Sequence, residues 1–204
     1  MRLDHIAISG ETLEEATEHV EAALGVRLEP GGAHDVFSTH NRLLELADGL
    51  YLEAIAIDPD APDPTRPRWF DLDAFFGPAR LTNWICATDD LDAALAALPA
   101  GFGTPVDLTR GDLHWRMAVP ENGMLPHDNC APALIQWQAG AHPSTRLPPS
   151  GVRLTQLVVR HPQGGALAGA LRRHMADPRL SIEVGKAGMM AEFDTPHGRR
   201  VIGG

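Results

Sequence analysis

LDHIAIS, residues 3–9, reads as a buried first strand, yet it carries Asp4 and His5 at its second and third positions. YLEAIAI, residues 51–57, repeats the pattern, with Glu53 set among apolar neighbours. Working outward, LDHIAIS leads into TLEEATEHVEAALG at 12–25, where Thr12 and Glu15 have the spacing of a capping box and Gly25 suits the helix exit. The same succession recurs twice. LTNWICATDD at 81–90 precedes LDAALAALP, with Asp89 or Asp90 as cap and Pro99 as stop, and LTQLVVRHP at 154–162 precedes ALAGALRRHM.

Strand-like fragments follow each helix. In the first unit they are HDVFST, NRLLELA and YLEAIAI, with Asp48-Gly49 in a hairpin turn. The second unit has TPVDLT, LHWRMAVP and ALIQWQ, and the third has LSIEVG, MMAEFDTP and RRVIGG. These imply an α+β chain of βαβββ modules at 1–58 and 81–138, forming one region over 1–140, with a third, shorter module at 151–204. DPDAPDPTRPR at 58–68 and HPSTRLPPSG at 142–151 join them, since their prolines resist helix and central strand.

Composition narrows the class of function. The chain has 204 residues, 27 acidic against 17 basic, and a net charge of −10, which disfavours nonspecific attraction to nucleic acid or an anionic membrane. No window approaches the roughly 18 to 20 apolar residues of a membrane span, and a strand begins at once, leaving no room for a signal peptide. A cytoplasmic location is the expectation. The two cysteines, Cys86 and Cys130, lack metal-type spacing and read as reduced thiols.

The succession of modules, with LDHIAI opening one strand and YLEAIA in the last strand of the same unit, resembles the vicinal oxygen chelate superfamily of glyoxalase I, extradiol dioxygenases and bleomycin resistance proteins. The likeness is to its glyoxalase-like branch, through Thr39-His40-Asn41, the Trp115-Arg116 pair, LPHDNCAPALIQW at 125–137 and His142-Pro143. It implies a curled mixed sheet forming a cup, with a metal ligand from the first and last strand of each module.

Carried over, His5 and Glu53 take two ligand positions and are the candidate catalytic residues. An imidazole with a carboxylate suits Zn, Mn, Fe or Ni. Asn83 aligns with His5 in the second module, and Gln136 with Glu53, and amides are poor ligands. His40 is the remaining candidate for a third ligand, if the hairpin register turns it inward. Strand alternation puts Leu3, His5 and Ala7 on one face of their strand and Tyr51, Glu53 and Ile55 on one face of theirs, and both faces are candidates to line the cup.

His40, Asn41, Asn83, Arg116 and Gln136 are candidate contacts to a substrate, Arg116 as a fork for a carboxylate or phosphate. Against this stand plainer roles: a turn cap for His40 and Asn41, an internal ion pair for Arg116, and core packing for Trp84, Trp115 and Trp137. The loop at 121–132 could close as a lid. His127, Asp128 and Cys130 within it lack the support of a nucleophilic triad, and Gly164-Gly165 lacks the lysine of a phosphate loop. Two functions follow: a metal-dependent isomerase, lyase or dioxygenase acting on a small polar molecule, or a metal-free protein that sequesters one. A homodimer is the expected assembly.

Overall fold

A computed structural model describes residues 1–204 and shows two βαβββ modules sharing one sheet. The first comprises β1 (Arg2–Ser9), α1 (Leu13–Leu24), β2 (Glu29–His34), β3 (Thr39–Leu46) and β4 (Leu50–Ile57). The capping box forms: Thr12 Oγ1 accepts from Glu15 N at 3.1 Å, and Glu15 Oε2 from Thr12 N at 3.2 Å. Gly25, at φ +74°, closes α1. HDVFST is not a strand: its residues 35–38 form the turn between β2 and β3, and the strand is EPGGAH, whose proline and glycines masked it. An edge strand tolerates both.

The second module has β5 (Arg80–Ala87), α2 (Leu91–Ala97), β6 (Thr104–Arg110), β7 (Leu113–Val119) and β8 (Ala133–Ala139). Asp90 is the cap of α2, accepting from Ala93 N at 2.9 Å. The strands lie in the order β2-β3-β4-β1-β5-β8-β7-β6, with β1 parallel to β4, β5 parallel to β8, and β1 antiparallel to β5 at the centre. Exchanging β1 for β5 interchanges the pairs His5–Ile85 and Ala7–Asn83, so the modules are related by a local two-fold. The sheet curls until its outermost strands, β2 and β6, approach each other.

Each face of the sheet has its own core. Ile6, Ile8, Leu44, Leu52 and Trp84 face outward, onto α1 and α2. Ala7, Ile55, Ile85, Trp115, Met117 and Ile135 face into the cup, where they meet a plug, the 3-10 segment Trp69–Ala74. No helix is long and apolar enough to cross a membrane.

The third module, β9 (Arg153–His161), α3 (Gly164–Leu171), β10 (Leu180–Val184), β11 (Gly188–Thr195) and β12 (Gly198–Gly203), keeps the βαβββ succession but not the pairing. Its order is β10-β9-β11-β12, so its first strand lies inside a separate sheet. That sheet packs on α1 and β5 through the outward-facing core, and neither caps the cup nor extends the large sheet.

The loop at 121–132 is a buttress rather than a lid. Leu125, Cys130 and Ala131 are buried, Cys130 O accepts from Trp84 Nε1 at 2.9 Å, and Gly123 O accepts from Asp71 N at 3.0 Å. Gly123 has φ +77°, and a Cβ there would lie 1.9 Å from Arg68 O. Gly123→Ala is therefore expected to lower the unfolding free energy by about 1–3 kcal/mol and to loosen the plug, read as lower melting temperature and greater Trp69 exposure to a fluorescence quencher.

Candidate functional site

Leu3 pairs with Cys86 and His5 with Ile85, so Asp4 is an extra residue on β1. This bulge corrects the simple alternation: Leu3 packs outward, while His5 turns into the cup with Asp4 beside it. On β4, Tyr51, Glu53 and Ile55 share the inner face. His5 stacks on Tyr51 with ring centroids 4.2 Å apart.

The register of β3 against β4 decides between His40 and Asn41. Asn41 pairs with Ile55 and Leu43 with Glu53, whereas His40 pairs with Ala56. Asn41 thus faces inward with Glu53. His40 takes the opposite face, with Nδ1 3.9 Å from Asp58, and cannot join His5 and Glu53.

Two other candidates also leave the cup. Arg116 and Gln136 pair with each other across β7 and β8 and face outward. Arg116 forks onto Asp92 at 2.8 and 3.2 Å, and Gln136 binds the start of α2 through Leu91 N and Asp89 O. Their roles are an ion pair and a helix cap. Nor does Gln136 stand in place of Glu53: Ala7 pairs with Glu53, its counterpart Ile85 pairs with Ala133, and Ala133 is the two-fold mate.

Asn83 does occupy the place of His5, fully buried beside Ala7. Both polar atoms of its side chain lack partners. A buried amide of this kind costs free energy, so Asn83→Leu is expected to raise the unfolding free energy by about 1–2 kcal/mol in urea denaturation. A loss of stability would show that the amide has a partner there.

The inner side chains form one chain of polar contacts. His5 Nδ1 lies 2.6 Å from Asp4 Oδ1, and His5 Nε2 lies 3.4 Å from Glu53 Oε2. Asp4 Oδ2 also accepts from Trp137 Nε1 at 3.0 Å and meets His142 Nε2 at 3.1 Å. Glu53 Oε1 accepts from Asn41 Nδ2 at 3.2 Å. Asp4 accepts at Nδ1 of His5 and Glu53 stands within ion-pair distance of Nε2, an arrangement that favours the imidazolium form.

Burial opposes each of these charges and is outweighed. Burial would strip the proton from His5, but its hydrogen bonds to Asp4 and then Glu53 hold its pKa above the ordinary value. Burial would likewise protonate both acids. Hydrogen bonds from His142 and His5 keep Asp4 well below the usual carboxylate range, and the hydrogen bond and charge of His5 keep Glu53 low.

His34 is a second buried histidine in the cup, and sequence reading missed it. Its Nδ1 lies 3.1 Å from Thr39 Oγ1, and its Nε2 faces two donors, Asn41 Nδ2 at 3.4 Å and Arg110 Nη1 at 3.3 Å. Only a neutral ring protonated at Nδ1 satisfies that arrangement. Burial, opposed by Glu53 and aided by Arg110, pushes its pKa down to about 4. Arg110 was missed as well. It reaches from the edge of the second module to Asn41 Oδ1 at 3.3 Å, spanning the gap between the sheet edges.

The metal expected of His5, Glu53 and His40 does not fit this donor set. A catalytic zinc site takes about three protein ligands, but here His40 faces away and the two-fold mates are an amide and a methyl group. No group of three His, Cys, Asp or Glu is arranged to hold a metal ion. Nδ1 of His5 is hydrogen-bonded to Asp4, and its Nε2 faces Glu53 at 3.4 Å.

The sequence profile of the glyoxalase-like domain matches residues 3–175. No curated protein matches the sequence at a significant level. Among solved structures, a hypothetical protein from Staphylococcus aureus is similar at 15% identity, with 91% of this chain and 86% of that one covered and a TM-score of 0.62, which speaks for the fold alone. Methylmalonyl-CoA epimerase from Mycobacterium tuberculosis is a more distant likeness, at 16% identity over 68% of this chain and 88% of that one, with a TM-score of 0.44. With most of its length matched by the family's profile, the chain belongs to the glyoxalase-like domain family.

Proposed function

We propose that the protein binds a small polar molecule at the mouth of its cup without a metal. The donor set supports this: His5 is held as a cation between two acids, and its two-fold partners are Asn83 and Ala133. The isomerase, lyase and dioxygenase chemistries implied by the family resemblance call for a metal that these side chains are poorly placed to hold.

The space also favours the mouth. The inner cavity between His5, Glu53, Trp69 and Trp115 measures about 30 Å³, room for about two waters. A vestibule of about 470 Å³ adjoins it, sharing Leu43 and Arg110, and that volume lies in the range of small-molecule pockets.

A second reading, proton transfer, is favoured by one observation. Asp4 backs His5 at 2.6 Å while Glu53 faces its other nitrogen, the arrangement of an oriented acid.

Metal analysis tests the metal-free reading. Protein purified without chelator, then incubated with Mn²⁺, Ni²⁺ or Zn²⁺, is expected to retain no stoichiometric metal. Retention that disappears in both His5→Ala and Glu53→Ala would overturn the metal-free reading.

A further inference from the structure

We infer that the small polar molecule is a monocarboxylate with a short hydrocarbon body and that Arg110 is the residue that selects it. This rests on the binding reading above and names the class of molecule that the mouth accepts. The guanidinium of Arg110 stands on the boundary between the inner cavity and the vestibule and lines both. Its contacts there are neutral: His34 Nε2 and Asn41 Oδ1, each at 3.3 Å from Nη1. The nearest acid in sequence, Asp112, is taken up by Arg146, which forks onto it at 2.8 and 2.6 Å. A guanidinium with long bonds to neutral partners gains by exchanging them for a carboxylate, which accepts two parallel N–H bonds.

The approach to Arg110 is shaped by two glycines. A Cβ at Gly32 would lie 2.8 Å from Arg110 Cδ, and one at Gly31 would lie 2.0 Å from Asn41 Oδ1. Both sit where β2 slips its register against β3, between Pro30 and Ala33. The bare backbone lets the arginine stem lie flat and aims its head at the cup.

Part of the vestibule wall is apolar and suits hydrocarbon, formed by Leu43, Leu113, Pro143, Leu147 and Pro148. Glu29, which pairs with Leu43 across β2 and β3, also lines it. With Asp112 and Arg146 paired to each other, Glu29 is the acid left in the wall beside Arg110, and it disfavours a second anionic group. One carboxylate on a short apolar body therefore fits, whereas a dicarboxylate does not.

The test is titration of the full chain with hexanoate, hexanamide and adipate, followed by NMR shifts of the Arg110 side chain and the tryptophan indoles. Hexanoate is expected to bind, with hexanamide and adipate about tenfold or more weaker. Arg110→Met is expected to weaken hexanoate about 10- to 100-fold without affecting hexanamide, and Arg110→Lys to weaken it less. Gly32→Ala keeps the charge but displaces it, so it is expected to weaken hexanoate in the same direction. Glu29→Gln is expected to narrow the gap between adipate and hexanoate. Melting curves establish that each variant folds. Hexanamide binding as tightly as hexanoate, or undiminished hexanoate binding in folded Arg110→Met, would overturn the carboxylate assignment and leave metal-free binding standing. Failure of all three probes to shift any resonance of the cup would likewise overturn the carboxylate assignment, while the metal-free reading stands or falls on metal retention.

Discussion

Asp4→Ala is expected to lower the unfolding free energy by about 3–5 kcal/mol, because it removes one partner of a buried charge network and leaves the others without compensation. Three donors converge on this carboxylate, from His5, His142 and Trp137. Asp4 and His5 are each about 4% exposed, so water cannot replace the lost acceptor. His5 would either keep its proton facing Glu53 alone or lose it to burial. Asp4→Asn keeps one acceptor oxygen and is expected to cost less.

The network does not imply net stabilisation relative to a hydrocarbon core. Desolvating Asp4, His5 and Glu53 offsets much of their mutual attraction, so the triple replacement Asp4→Val, His5→Leu, Glu53→Leu is expected to be more stable than Asp4→Ala alone. Urea denaturation monitored by tryptophan fluorescence reads both. A loss below about 1 kcal/mol in Asp4→Ala would mean that the carboxylate is solvated, as surface pairs are.

The second large effect is a fall in stability between pH 6.5 and pH 4, centred on His34. Its folded pKa is depressed to about 4 from an ordinary value of 6.5. Across that window the unfolded chain binds a proton at His34 and the folded chain does not, so acid favours unfolding. The loss amounts to about 3 kcal/mol at roughly 1.4 kcal/mol per pH unit. His34→Gln is expected to flatten this part of the profile, and the difference between parent and variant isolates the residue from the other histidines.

His5 acts in the opposite sense. Its folded pKa is raised, so its contribution is complete below its unfolded value and is lost as pH rises through the folded one. Asp4 and Glu53 have lowered values, and their contribution is lost as pH falls through them. Stability is therefore expected to peak close to neutrality. A profile flat from pH 4 to pH 7 would contradict the neutral, buried assignment of His34.

The path from sequence to site was uneven for physical reasons. His5 and Glu53 were legible as a pair because each interrupts an apolar strand and both strands belong to one module, and their side chains do come together. Asn83 was legible because the modules repeat, and the register of β1 on β5 makes it the mate of His5. The facing of His40 and Asn41 was not legible, since a one-residue change of register exchanges them, and only the pairing with Ala56 and Ile55 decides.

Gln136 misled because β8 is offset from β4, so Ala133 takes the place of Glu53. His34 and Arg110 could not be found by pattern at all. They sit on the two outermost strands, far apart along the sheet order, and meet only because the sheet curls. The plug at 69–74 was invisible for a related reason: Phe70 and Asp71 adopt φ near +60°, a conformation with no periodic signal. Its WFDL sequence becomes meaningful only against the cup it fills.

The central claim is that one cup holds two buried histidines in opposite protonation states, His5 doubly protonated between acids and His34 neutral. Nitrogen NMR of histidine-labelled protein at pH 7, before and after addition of Zn²⁺, tests it directly. The account predicts imidazolium shifts at both nitrogens of His5 and a neutral ring protonated at Nδ1 for His34, with His5 unmoved by the metal. A neutral His5 with a free Nε2, or one whose Nε2 shift moves with stoichiometric Zn²⁺, would contradict it.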